Sequence, residues 1–171
     1  MPRNIEIKAR LARIEDVAPK AAAIATSGPT LIAQDDTFFH CPNGRLKLRS
    51  FSPEQGELIF YQRANQQGPK ESFYVRSPTN TPDSLREALT LAYGQSGRVI
   101  KQRMLFLAGR TRIHLDRVQG LGDFLELEIV LAENEPSKNG AREAHTLMAQ
   151  LGIEAGQLVE TAYVDLLKTP T

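Results

Sequence analysis

The 171-residue chain holds a single cysteine and no tryptophan, and each shortage removes a class of explanation. One thiol, Cys41, cannot build a disulfide framework, and no second Cys/His pair follows His40-Cys41 at the spacing of a zinc site. No apolar run approaches the roughly 18 residues that a membrane helix needs. The N-terminus, Met-Pro-Arg-Asn-Ile-Glu-Ile-Lys, brings in charge at once where a secretory signal needs an apolar stretch. These absences set the expectation of one globular domain over 1–171, cytoplasmic, with no membrane partner. Twenty-one Lys and Arg against 20 Asp and Glu leave a net charge of +1, too little for a protein that coats nucleic acid with its whole surface. That near-balance conceals a segregation of charge along the chain.

Residues 4–11 alternate, with Ile5, Ile7, Ala9 and Leu11 on one side and Asn4, Glu6, Lys8 and Arg10 on the other, which predicts a strand with one polar face. The Ala-rich run from Glu15 to Thr26 predicts a helix, with Pro19 in its first turn and Gly28-Pro29 ending it. Asp36-Thr-Phe-Phe reads as a strand paired across the turn Pro42-Asn43-Gly44 with the alternating stretch Arg45–Phe51. Residues 57–63 and 70–76 read as two more strands, separated by a polar turn over 64–69. Thr81 is positioned to cap a helix that opens on Pro82 and closes at Gly94. Three further strands are expected over 99–107, 110–118 and 123–131, then amphipathic helices over 143–151 and 158–167.

The polar faces of these strands carry Glu6, Lys8 and Arg10; Arg45, Lys47 and Arg49; Arg63; Lys70 and Arg76; Lys101 and Arg103; Arg110, Arg112, His114 and Asp116; and Glu126 and Glu128. Twelve of the 21 basic residues fall there, against four acids, so at least eight cations lack an internal partner. An open sheet would leave this face in solvent, and a closed barrel would make it the lining of a polar tunnel. Recurrence over five or more strands favours closure, because seven or eight strands suffice for it. Confined cations repel one another, and a multiply anionic ligand relieves the repulsion. Arg and Lys match phosphate oxygens, which points to a polyphosphate. Glu126 and Glu128, two apart on one strand, share a face where Glu6 can join them around Mg²⁺ or Mn²⁺. No Gly-rich P-loop occurs. Single-stranded nucleic acid fits poorly, because the cations neighbour other cations and acids and are not interleaved with aromatics. His114 is open between a proton shuttle and a structural imidazole, and Tyr61, Tyr74 and Tyr163 read as packing residues.

At Asn4-Ile-Glu6-Ile-Lys8-Ala-Arg10, at Gly44-Arg-Leu-Lys-Leu-Arg49, at Lys101-Gln-Arg103 and at Phe124-Leu-Glu126-Leu-Glu128, the sequence resembles the CYTH family, the triphosphate tunnel metalloenzymes. The likeness covers nearly the whole chain. It implies an α+β fold: an eight-stranded antiparallel β-barrel, closed or nearly so, with a basic interior and helices packed outside. It implies a metal-dependent enzyme acting on inorganic triphosphate, on an organic triphosphate such as thiamine triphosphate, or on ATP in adenylyl cyclisation; a non-catalytic polyphosphate sensor is the further alternative. Carried over, Lys8, Arg10, Lys47, Arg49, Arg63, Lys70, Lys101, Arg103 and Arg112 bind phosphate. Glu6, Asp116, Glu126 and Glu128 bind metal, and catalysis rests on Glu6, Lys8, Glu126 and Glu128. Asn4 stands where the family motif has its first glutamate, which removes one formal charge. A homodimer is left open.

Overall fold

The computed structural model describes residues 2–63 and 66–168. The expected turn over 64–69 therefore lies partly outside the described residues, at 64 and 65. In chain order the elements are β1 (Arg3–Leu11), α1 (Ile14–Ile24), β2 (Ser27–Phe39), β3 (Arg45–Ser52), β4 (Gln55–Arg63), β5 (Lys70–Thr79), α2 (Pro82–Tyr93), β6 (Gln95–Ala108), β7 (Thr111–Val118), β8 (Gly122–Val130), α3 (Ser137–Leu151), a 3-10 turn (Ala155–Gln157) and α4 (Tyr163–Leu166). All strand pairs are antiparallel, and the order β1-β5-β4-β3-β2-β6-β7-β8 returns to β1, so the sheet closes into a barrel. The fold is the α+β barrel anticipated from the alternating strands.

Alternation decides which side chains face out. Ile5, Ile7, Ile113, Leu115, Leu125, Leu127 and Ile129 leave the outer face of β1, β7 and β8 and pack beneath α1 and α3. Each such side chain removed from water contributes about 1.5–3 kcal/mol. Helix α1 presents Ile14, Val17 and Ala21 to this core, and α3 presents Gly140, Ala144, Met148 and Leu151. A Cβ at Gly140 would lie 2.5 Å from Ile5 Cγ1, so the close seat of α3 on β1 requires glycine there. A second cluster, Phe38, Val99, Val118, Phe124, Ala162, Tyr163 and Val164, closes one end of the barrel.

Four expectations change. Helix α3 starts at Ser137, two turns before Glu143, because its first turns carry polar residues and a glycine that give no apolar period. Pro19 lies in the second turn of α1, on its exposed side. Gly28-Pro29 does not follow the helix as a terminator but sits inside the 13-residue β2, beside a register shift against β6. The helix expected over 158–167 is instead an extended stretch that follows the 3-10 turn, in which Leu158 bridges Ala9, and then the four-residue α4. Thr81 does occupy the N-cap of α2, but its side chain makes no capping bond. No described helix is long and apolar enough to cross a membrane.

Candidate active site

The inward side chains of all eight strands line one cavity of about 440 Å³. Its wall carries eight Lys and Arg side chains, Lys8, Lys47, Arg49, Arg63, Arg76, Lys101, Arg103 and Arg112, against five carboxylates, Glu6, Asp36, Glu57, Glu126 and Glu128. Cross-strand register sets their order. Glu6 on β1 and Arg112 on β7 both stand opposite Glu128, and Lys8 and His114 both stand opposite Glu126. The chain after the 3-10 turn crosses the far end. The Val159 amide donates to the Lys8 carbonyl at 2.9 Å, Lys8 Nζ donates to the Thr161 carbonyl at 3.1 Å, and the Tyr163 ring lies 4.0 Å from Lys8 Nζ and 4.9 Å from Lys101 Nζ.

The basic wall is held by two buried aspartates. Arg49 donates through Nε and Nη2 to Asp36, both at 2.8 Å, while Lys47 stands 3.5 Å from the same carboxylate. Arg103 grips Asp116 in the same fork, again at 2.8 Å twice, and the Tyr163 hydroxyl donates to Asp116 at 3.0 Å. Lys101 lies between them, 4.0 Å from Asp36 and 3.8 Å from Asp116. A bidentate fork fixes the guanidinium plane and leaves Nη1 for a ligand.

Ionisation follows these neighbours. Burial opposes a charge on Asp36, yet Arg49, Lys47 and Lys101 outweigh it and hold the carboxyl well below the usual carboxylate range. Burial likewise opposes charge on Glu126, and Lys8, Lys101 and Arg103 overcome it. Glu6 goes the other way: burial, then the adjoining Glu128, pushes its carboxyl up to about 7. Burial lowers the Lys8 ammonium to about 7 against the pull of Glu126, and burial and Arg49 lower Lys47 to about 7. His114 drops to about 4 through burial and the Arg103 charge.

Most of the residues singled out in the sequence converge here, and five do not. Arg10 keeps the parity of β1 but lies beyond the closed end, exposed, its guanidinium 5.0 Å from the Phe124 ring centre. Lys70 is buried behind the wall, donating to the Glu160 carbonyl at 2.8 Å and the Gln66 carbonyl at 3.2 Å. Asp116 is not placed as a metal ligand: it is fully buried and saturated by Arg103, Lys101 and Tyr163. Arg45 pairs with Asp165, and Arg110 with Glu135 and Glu143, in place of a ligand. The surplus of positive charge is smaller than the count of at least eight, because Arg10, Arg45, Lys70 and Arg110 lie outside the cavity and two further carboxylates line it, Glu57 on β4 and Asp36 on β2. Only the register of Asp36 opposite Arg49 would have marked it. Tyr163 packs in the second apolar cluster, as its sequence context predicts, and it also supports Asp116.

For a divalent cation the fit is good. His114, Glu126 and Glu128 each offer a donor atom, all within 4.8 Å of one another. Among the described residues the buried Asn4 Oδ1 and His114 Nδ1 lack hydrogen-bond partners. Glu6 lies across from Glu128 and adds a third carboxylate. Carboxylate and amide oxygens suit a hard cation.

A closed antiparallel barrel with a basic lumen and an acidic cluster on its wall defines the class of this fold and site. The chain matches the CYTH domain over residues 2–163 and belongs to that family. It is 24% identical over 162 residues to the adenylate cyclase CyaB of Aeromonas hydrophila, across 88% of this chain and 83% of that protein. In fold it is similar to the PH1012 protein of Pyrococcus horikoshii, at a TM-score of 0.85 and 20% identity over 96% of this chain and 99% of the other. It is also similar to HpAC1 from Hippeastrum, described as having a dominant triphosphatase activity, at a TM-score of 0.69 and 12% identity over 98% and 95% of the two chains.

Proposed function

We propose that the protein is a divalent-metal-dependent triphosphatase. The observation that carries this reading is the convergence of eight cationic side chains on a cavity of about 440 Å³ whose wall also bears the Glu126–Glu128 pair. Arg49, Arg103 and Lys101, fixed by Asp36 and Asp116, take one stretch of the phosphate chain. Lys47, Arg63 and Arg112 reach the remaining oxygens. Glu6, Glu126 and Glu128 would hold Mg²⁺ or Mn²⁺, which would supply charge neutralisation to the phosphate chain. Phosphoryl transfer needs little covalent help from the protein, so positioning and electrostatics supply most of the acceleration. Lys8, tied to the Thr161 carbonyl and standing opposite Glu126, orients the attacking water. The new P–O bond forms to that water, whose proton passes to solvent, the bridging P–O bond breaks, and the remaining phosphate fragment leaves with its charge held by the arginines.

A second reading is adenylyl cyclisation, favoured by the likeness to an adenylate cyclase of Aeromonas hydrophila. Ile32, Phe51, Leu105 and Leu107 also line the cavity and give an organic group an apolar surface that inorganic triphosphate would not use. In cyclisation the ribose 3′-hydroxyl attacks the α-phosphate and pyrophosphate leaves. Phosphate release from inorganic triphosphate, thiamine triphosphate and ATP, with Mg²⁺ or Mn²⁺, measured beside cyclic AMP, separates the two. Phosphate without cyclic AMP supports the triphosphatase; cyclic AMP with pyrophosphate supports the cyclase; binding with no product leaves a sensor.

A further inference from the structure

Three buried side-chain atoms lack a hydrogen-bond partner among the described residues: Asn4 Oδ1, Gln34 Oε1 and His114 Nδ1. A buried polar atom left without a partner costs free energy, and in native proteins such an atom usually has a use. The histidine is the informative one. It lies on β7 opposite Glu126, is 4% exposed, and its Nδ1 is 3.9 Å from Glu128 Oε1, too far for a hydrogen bond. Its donor nitrogen and one oxygen each of Glu126 and Glu128 lie within 4.8 Å of one another, a separation that one ion can bridge. Nearby cations work against an ion held by oxygens alone: Arg103 is 3.6 Å from Glu126, and Arg112 is 3.6 Å from Glu128. An uncharged nitrogen donor strengthens the grip without adding charge.

We infer that His114 supplies a nitrogen ligand to the cation held by Glu126 and Glu128, so that the site takes a first-row transition ion, Mn²⁺ before Mg²⁺. Imidazole binds first-row transition ions, whereas Mg²⁺ keeps an oxygen shell and gains little from nitrogen. Asn4 fits the same picture: with a neutral amide in place of a carboxylate at the start of β1, the site has one charge fewer with which to attract Mg²⁺. The inference rests on the proposed cation site and goes beyond it in naming a ligand and the class of ion.

The test needs no turnover. Chelator-treated protein is titrated with Mn²⁺ alone and with Mg²⁺ alone by calorimetry, and Mn²⁺-loaded protein is examined by electron spin echo spectroscopy for ¹⁴N coupling. The expected result is nitrogen modulation in the wild type that disappears in His114→Gln. Mn²⁺ affinity should fall roughly tenfold in that variant while Mg²⁺ affinity changes less than about twofold. Mn²⁺ bound without nitrogen coupling, or equal losses for both ions in the variant, would overturn the histidine assignment and leave the carboxylate site standing. Wild-type protein that binds neither ion would overturn the cation site itself. The spectrum of the wild type decides the matter even where the variant fails to fold.

Discussion

Asp36 holds Arg49 through two hydrogen bonds of 2.8 Å, so an acid on the wall of an anion-binding cavity acts by aiming a cation. The sign of a substitution follows. If Asp36 only balanced charge, Asp36→Asn would remove a repulsive charge and tighten triphosphate binding. Because it fixes the Arg49 fork, the variant should bind inorganic triphosphate roughly tenfold more weakly, a loss of about 1.4 kcal/mol. Calorimetry on folded variant gives the answer, with circular dichroism as the control, and tighter binding would refute the positioning role.

Glu126→Gln removes a carboxylate from the acidic cluster and leaves every lysine and arginine of the lining in place. Turnover at limiting metal should drop by two or more orders of magnitude, on the scale of a lost electrostatic contact at a reacting centre. Triphosphate affinity without metal should hold or improve. Unchanged turnover at limiting Mn²⁺ would remove Glu126 from the cation site.

The pH dependence of binding should carry the mark of Lys47. Burial and Arg49 lower its ammonium to about 7, while Asp36 pulls the other way and Lys101 and Arg103 add to the lowering. The rings of Phe38 and Tyr61 also lie near, 5.7 and 5.1 Å from Nζ, and the Glu6 carboxyl feels its charge. Between pH 7 and the unfolded value of 10.5 the unfolded chain holds a proton that the folded protein has lost, so this group makes stability rise with pH across that window. A bound triphosphate favours the charged form and returns the proton. Affinity should therefore fall as pH climbs above 7, and binding at pH 8 should take up a proton that Lys47→Arg does not. Heats measured in two buffers of different ionisation enthalpy check this; equal uptake in both proteins would contradict it.

Packing gives a separate test. A Cβ at Gly140 meets Ile5 Cγ1 at 2.5 Å and Leu131 Cδ2 at 2.8 Å, both on side chains buried in the core. Gly140→Val should cost about 1–3 kcal/mol by overpacking, seen as a lower Tm, with triphosphate affinity of the folded protein unchanged because α3 lies outside the barrel. An unaltered Tm would mean that the helix shifts without cost.

The wall was legible in the sequence wherever a strand has one apolar face and one charged face. β1 and β8 meet that condition, which is why Glu6, Lys8, Glu126 and Glu128 could be named. β2 does not. Its inward side mixes Ile32, Gln34, Asp36 and Phe38, and its outward side leaves Leu31 75% exposed, so no period separates the faces and Asp36 was invisible. Parity also carried too far at Arg10, because alternation says which face a residue takes and not where the cavity ends. That end is set by the segment carrying Tyr163, whose apolar spacing suggested a longer helix but whose backbone bonds go to β1.

The most direct test of the account is a calorimetric titration of the protein with inorganic triphosphate, run beside Arg49→Ala and Lys101→Ala. The account requires saturable one-to-one binding that weakens as salt is raised and falls at least tenfold in each variant, with circular dichroism unchanged. No binding by the wild type, or equal binding by all three proteins, would contradict it.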